Sequence, residues 1–374
     1  MIKVRYNLDL KTLKANYLKI FDLNAMAAVW KPFESTFGMK IEDLLTAHFD
    51  RLVDVYLQYK VTKLSQDQID VLDGLFHYES YQPKLAWFFM NPENKFDFKT
   101  CHYCNMAYVN AYGKGNSYRT VLDFVNRATA SEWRYWFTEK ELSETSLDRI
   151  PQEQPYSTLE EFNKKKYLWK RIELYKRMSF ASVDNRFDPD ANHFDLDHVL
   201  PKVSCPITRL SLFNFVPSCQ VCNEKLKNDV ELATTKEDWL KISPTYSGSN
   251  FDDAVTFKLI PEVSCSTFFE LMKNRENYRL DFDMPGGVYD NYVTVFRLHD
   301  RYNYHKQRAL HILSLKERYS EEKREEISRM LSKRYDGKNE SLYSEAQVKE
   351  DIFHLDLEKD ECFSKLRKDM MERN

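Results

Sequence analysis

Apolar positions in the N-terminal third of the chain recur with helical spacing. From Ile41, the positions Leu44, Leu45, His48, Phe49, Leu52, Val53 and Tyr56 fall at intervals of three and four, which predicts one amphipathic helix. A second helix is predicted over 66–76, with Ile69, Leu72, Leu75 and Phe76 turned inward. Asn91-Pro92-Glu93-Asn94 reads as a turn that closes an N-terminal helical domain, 1–95. The pattern then changes. In FKTCHYCNMAYVNAYGKGNSY (98–118), aromatic and β-branched residues surround Cys101 and Cys104, and Gly113 and Gly115 follow, so a tight turn and a short strand are expected. Helical patterning returns over 120–183, and VDNRFDPDAN reads as a loop from its Asp, Asn and Pro content. FDLDHVLPK (194–202) is strand-like and stops at Pro201, which cannot continue an interior strand. Beyond residue 232 the helical signal resumes, strongest over 304–334, giving a C-terminal helical domain, 233–374.

Composition agrees with a folded, helix-rich chain. Of 374 residues, 43% are hydrophobic and only 8 are Gly and 12 Pro, which argues against a loop-rich or disordered protein. The N-terminus alternates charge with apolar residues and does not resemble a signal peptide. The most apolar run, LAWFFM (85–90), is too short to span a bilayer. The expectation is a soluble, cytoplasmic protein with no membrane contact. An odd count of 7 Cys without a signal peptide suits a reducing compartment rather than a disulfide framework. A net charge of −3 excludes binding to nucleic acid through a broad basic surface, so any such contact needs a local patch or a partner.

Four of the cysteines form two pairs of identical spacing, Cys101-His-Tyr-Cys104 and Cys219-Gln-Val-Cys222. Four thiolates complete the tetrahedral shell of Zn²⁺ and leave no open position, so such a zinc would be structural. Cys104 and Cys219 are 115 residues apart, so a helical insertion (about 119–185) would loop out between the two knuckles. The alternative is two unrelated pairs of buried cysteines. Cys205, Cys265 and Cys362 have no partner at ligand spacing and read as ordinary thiols. His102, inside the first knuckle, reads as a bystander.

Beside the second knuckle lie residues with hydrolytic potential. Asp197 is a hard oxygen ligand, and His198 is a general-base candidate with an ordinary pKa near neutrality. Asn223 directly follows Cys222, which would hold its amide rigidly as a ligand for Mg²⁺ or Mn²⁺ together with Asp197. In a regular strand Asp197 and His198 point to opposite faces, so the strand is expected to end or twist at His198. Asp195, on the same face as Asp197, could orient a ligand or cap a turn. His193 reads as a surface residue. Lys202 is a phosphate contact or simply exposed. Residues 164–177, KKKYLWKRIELYKR, present Lys164, Lys165 and Lys166 at the start of a basic helical face, either solvated or set against a phosphate backbone.

The order Asp197-His198, then Asn214, then Asn223 within a Cys-x-x-Cys knuckle, then Lys227, resembles HNH endonucleases of the zinc-containing ββα-metal type. The resemblance covers mainly 98–118 and 193–230. The nine-residue interval from Asn214 to Asn223 is similar to that in the HNH domain of RNA-guided nucleases. It implies an α+β, mostly helical protein: a ββα-metal HNH core with four-cysteine zinc knuckles (96–232), a helical insertion and helical flanking domains. It implies that His198 is the general base, that Asp197 and Asn223 hold the catalytic ion, and that Asn214 supports the loop. The family often has Cys-Asn-x-x-Lys, whereas here Lys225 comes early and Lys227 one residue late. Which lysine approaches a phosphate is left open. The implied function is metal-dependent hydrolysis of phosphodiester bonds in nucleic acid, DNA foremost. The alternative is a non-catalytic, zinc-stabilised nucleic-acid-binding or interaction subunit. The layout also resembles HNH effector subunits of bacterial anti-phage systems such as Septu and certain retrons, which implies docking onto an ATPase or other sensor subunit.

Overall fold

The computed structural model describes residues 3–96, 99–109, 111–113, 121–128, 155–158, 161, 164, 190–192, 194–245, 251–262, 271, 274–332, 344–353 and 361–372. Lys165 and Lys166, most of the expected insertion, His193 and Cys265 lie outside them.

The N-terminal residues form α1 (Leu10–Leu18), α2 (Leu23–Trp30), α3 (Glu34–Phe37), α4 (Ile41–Leu45), α5 (Phe49–Val61), α6 (Gln66–Leu75) and α7 (Tyr78–Met90). Local chemistry sets their starts. Asp9 and Asp22 accept from backbone amides of α1 and α2, and Ser65 with Gln68 closes a capping box on α6. The single helix expected from Ile41 is two. Thr46 folds its hydroxyl back onto the Glu42 carbonyl at 2.8 Å, and His48 is extended (φ −63°, ψ 156°) where it starts α5. Leu44, Leu45, Phe49, Leu52, Val53 and Tyr56 are buried as the periodicity requires, whereas His48 is exposed.

Three two-stranded antiparallel sheets follow among the described residues: β1 (Ala111–Gly113) with β2 (Asp190–Asn192), β3 (Asp195–His198) with β4 (Phe215–Ser218), and β5 (Thr256–Pro261) with β6 (Tyr278–Asp283). Two of these correct the sequence reading. The end of VDNRFDPDAN is strand β2, because pairing with β1 overrides its turn composition. The C-terminal part is not purely helical, since TFKLIP and YRLDFD form a hairpin. Tyr278, Leu280 and Phe282 alternate inward along β6. Further α-helices among the described residues are α8 (Val121–Arg127), α9 (Lys236–Lys241), α10 (Phe251–Ala254), α11 (Val288–Val295), α12 (Leu298–Tyr304), α13 (Gln307–Arg318), α14 (Glu321–Ser332), α15 (Glu345–Phe353) and α16 (Ser364–Glu372). The fold is therefore mostly helical α+β. No helix among the described residues is long and apolar enough to cross a membrane.

One continuous buried cluster runs from Leu13 and Tyr17 through Cys101, Phe215 and Trp239 to Tyr302 and Leu366. Polar ties fix the β3–β4 connection onto the N-terminal helices. The Tyr17 hydroxyl donates to the Leu210 carbonyl at 2.7 Å, Ser211 Oγ to the Leu44 carbonyl at 3.0 Å, and Arg209 Nη1 meets Asp73 at 2.7 Å. The segment that follows Asp197-His198 is thus braced from outside the hairpin itself.

Candidate active site and metal centre

The four sulfurs of Cys101, Cys104, Cys219 and Cys222 lie within 4.8 Å of one another, and no disulfide joins them. A tetrahedral zinc with bonds of about 2.3 Å needs sulfurs about 3.8 Å apart, so this donor set can hold such an ion after slight contraction. The surroundings favour negative sulfur. The Met106 amide donates to Cys104 Sγ at 3.4 Å and Arg301 Nη1 to Cys222 Sγ at 3.3 Å. The first knuckle turns tightly at Asn105 (φ 53°), whose amide donates to the Cys101 carbonyl. The His102 amide joins the Pro217 carbonyl at 2.9 Å, which ties the knuckle to β4. Cys205 is apart from the cluster, and burial pushes its thiol up to about 12.

The cluster delivers a residue that the sequence reading missed. Tyr103, between the first two cysteines, is buried and stacked on Phe296, and its hydroxyl donates to Asp197 Oδ2 at 2.5 Å. The spacing of the cysteines announced the knuckle but not the direction of this side chain.

Strand β3 pairs through its full length, with His198 opposite Phe215 and Asp197 opposite Val216. The strand ends at His198, as expected, and the two side chains have different neighbours. His198 packs against Tyr78 of α7 and against Phe215, each at 4.8 Å between ring centres. His198 Nε2 lies 2.8 Å from the Arg209 carbonyl. A carbonyl oxygen only accepts, so Nε2 carries the proton and Nδ1 holds the lone pair of the neutral ring. Burial lowers the His198 pKa to about 3 against the opposing Arg209 hydrogen bond, so the ring is neutral at pH 7.

Asp197 and Lys227 form a buried ion pair. Lys227 is 1% exposed and Asp197 6%. Lys227 Nζ lies 3.1 Å from Asp197 Oδ2 and 3.3 Å from Oδ1, and it donates to the His198 carbonyl at 2.8 Å. Burial raises the Asp197 pKa, while Lys227 and the Tyr103 hydrogen bond oppose the rise. The two candidate lysines are placed differently. Val221–Lys227 is a π-helical segment, closed by Asn228 N–H to the Asn223 carbonyl at 2.7 Å. This wider turn takes up the extra residue and brings Lys227 inward, whereas Lys225 is exposed.

Asn214 is fully buried and acts as a clamp. Its Oδ1 accepts from the Leu200 amide at 2.8 Å, and its Nδ2 donates to the Leu200 and Thr208 carbonyls, both at 3.1 Å. The side-chain amide pairs with both backbone groups of one residue, Leu200, as a neighbouring strand would, and so fixes the chain two residues beyond His198.

Asp197, His198 and Lys227 line one open cleft of about 390 Å³, together with Tyr78, Asp195, Lys202, Asn223, Glu224 and Asp229. Asp195 Oδ2 is buried without a hydrogen-bond partner among the described residues. Burial raises the Asp195 pKa, and a hydrogen bond from Asn223 opposes this. A buried carboxylate oxygen with no donor and a neighbouring amide are oxygen ligands of the type that hard divalent cations take. Lys202 crosses the mouth of the cleft, over the Tyr78 ring and 3.4 Å from Glu79. Lys164 is exposed. Neither Tyr78 nor Arg301 carries any signal in the sequence that would have marked it. Comparison with protein-family models, with curated proteins and with solved structures finds no match to this chain.

Proposed function

We propose that this chain is a zinc-stabilised, divalent-cation-dependent HNH endonuclease that hydrolyses phosphodiester bonds in nucleic acid, DNA foremost. The supporting observation is the shared cleft: a neutral histidine with one committed nitrogen, two carboxylates and Asn223 line one open space. His198 is the base. With Nε2 occupied, Nδ1 takes the proton of a water whose oxygen forms the new bond to phosphorus, and the bond from phosphorus to the leaving sugar oxygen breaks. The leaving oxygen gains its proton from solvent. Asn223, Asp197 and Asp195 are the residues that would hold Mg²⁺ or Mn²⁺, which when bound neutralises charge on the phosphate and the leaving oxygen. Zinc in the four-cysteine cluster holds Tyr103 and Asn223 in place from two distant parts of the sequence. Exposed Lys225, and Lys202 on its surface pair with Glu79, are cationic side chains able to meet the phosphate backbone; Lys227, buried on Asp197, is not. The resemblance extends the proposal to an effector of anti-phage defence with a sensor or ATPase partner.

One observation favours the non-catalytic reading. Both oxygens of Asp197 are engaged, by Lys227 and by Tyr103, as in a purely structural ion pair. The test is incubation of the purified protein with supercoiled plasmid, single-stranded DNA and RNA in Mg²⁺ or Mn²⁺. Cleavage that vanishes in His198→Ala supports the nuclease; no cleavage of any substrate refutes it.

A further inference from the structure

The Asp197–Lys227 pair belongs to the cleft, yet the proposed chemistry makes no use of the lysine. Its ammonium lies 3.1 and 3.3 Å from the two carboxylate oxygens that an incoming cation would use. Magnesium binds oxygen at about 2.0–2.1 Å and demands near-octahedral access, so it cannot share those positions with an ammonium. Charge leads to the same conclusion. Asp195 and Asp197, both lining the cleft, balance a divalent ion when ionised, but with Lys227 in place they have only one net negative charge to offer.

The backbone supplies a way out for the lysine. Lys227 ends the π-helical segment, and the exposed Asn228 that follows adopts positive φ (43°, ψ −119°). The segment is closed by a five-residue hydrogen bond from Asn228 to Asn223. Tightening that turn to ordinary α-helical bonding rotates Lys227 by about 100°, away from Asp197. Asn223, the candidate ligand, begins the same turn.

Building on the nuclease reading, we propose that Lys227 is a resident cation which competes with the divalent ion for Asp197. Ion entry and withdrawal of Lys227 are then one event, and the chain without the ion is held in a closed, inactive arrangement. Lys227 is a positioning residue in this scheme and not a phosphate contact.

The test uses the zinc-loaded full chain and Mn²⁺ as the probe. Calorimetric titration should show Lys227→Met binding Mn²⁺ about tenfold more tightly than the wild type, with the gain lost in the double variant with Asp197→Asn. Lys227→Met leaves a buried carboxylate unpaired and can fail to fold, so the wild type is probed as well. Lysine acylation read by mass spectrometry should find Lys227 protected without Mn²⁺ and labelled at saturating Mn²⁺. Mn²⁺-dependent cleavage with Lys227 still protected would overturn the competition and leave the nuclease standing. Absence of Mn²⁺ binding and of cleavage would overturn both.

Discussion

Asn214→Ala removes a clamp whose worth follows from its partners. The side chain is fully buried and serves three backbone groups: the Leu200 amide, the Leu200 carbonyl and the Thr208 carbonyl. Alanine leaves both Leu200 groups without their partner in the buried interior, while the Thr208 carbonyl keeps the Ser211 amide at 3.3 Å. An unsatisfied buried polar group costs about 1–3 kcal/mol, so the loss is about 2–4 kcal/mol once partial relaxation is allowed. That is a large share of the ~5–15 kcal/mol that stabilises a typical domain. Asn214→Asp should be no better at pH 7: it keeps one acceptor for the Leu200 amide but sets a carboxylate against two carbonyl oxygens. Urea unfolding followed by tryptophan fluorescence measures both variants, with an unchanged slope marking a true stability loss. A destabilisation below about 1 kcal/mol for Asn214→Ala would refute the clamp.

Three further outcomes are expected. Elemental analysis of washed protein should find about one zinc per chain, and Cys219→Ser should lose both zinc and cooperative unfolding, because the ion joins segments distant in sequence; folded protein without zinc would contradict this. The His198 pKa is lowered to about 3 from 6.5, so between those pH values the unfolded chain binds a proton that the folded chain refuses. Stability therefore falls as pH drops below 6.5, by about 1.4 kcal/mol per pH unit from this group. The raised Asp197 pKa acts with opposite sign, so the difference between wild type and His198→Ala isolates the histidine; parallel pH–stability curves would refute its neutral burial. With a net charge of −3, the chain should bind non-specific DNA in the micromolar range or weaker, with a shallow salt dependence, and nanomolar, salt-resistant binding in a filter or anisotropy assay would contradict the need for a partner.

Periodicity and spacing made much of the architecture readable. The helical N-terminal third, the turn at Asn91–Asn94, and the approach of four cysteines across 115 residues follow from patterns that are local or strictly repeated. What escaped depends on tertiary contacts. The break between α4 and α5 comes from one threonine hydroxyl turning back on its helix, which periodicity does not record. The β5–β6 hairpin did carry a two-residue alternation, but short strands amid strong helical signals are easily absorbed into them. In the site, the residue types around Asp197 and His198 were visible as candidates. Their neighbours were not. Tyr103 reaches Asp197 because the knuckle aims it there, and Lys227 does so because a π turn adds one residue to the helix. Neither geometry follows from composition or spacing.

The central claim is that the cleft around His198 hydrolyses phosphodiester bonds. Its most direct test is plasmid and single-strand cleavage by wild-type and His198→Ala proteins of equal zinc content and equal melting temperature, with and without Mn²⁺. The nuclease account predicts Mn²⁺-dependent strand breaks that fall by at least ~10²-fold in the variant, the scale of losing a general base. Equal cleavage by the two proteins, or none by either on any nucleic acid, would contradict it.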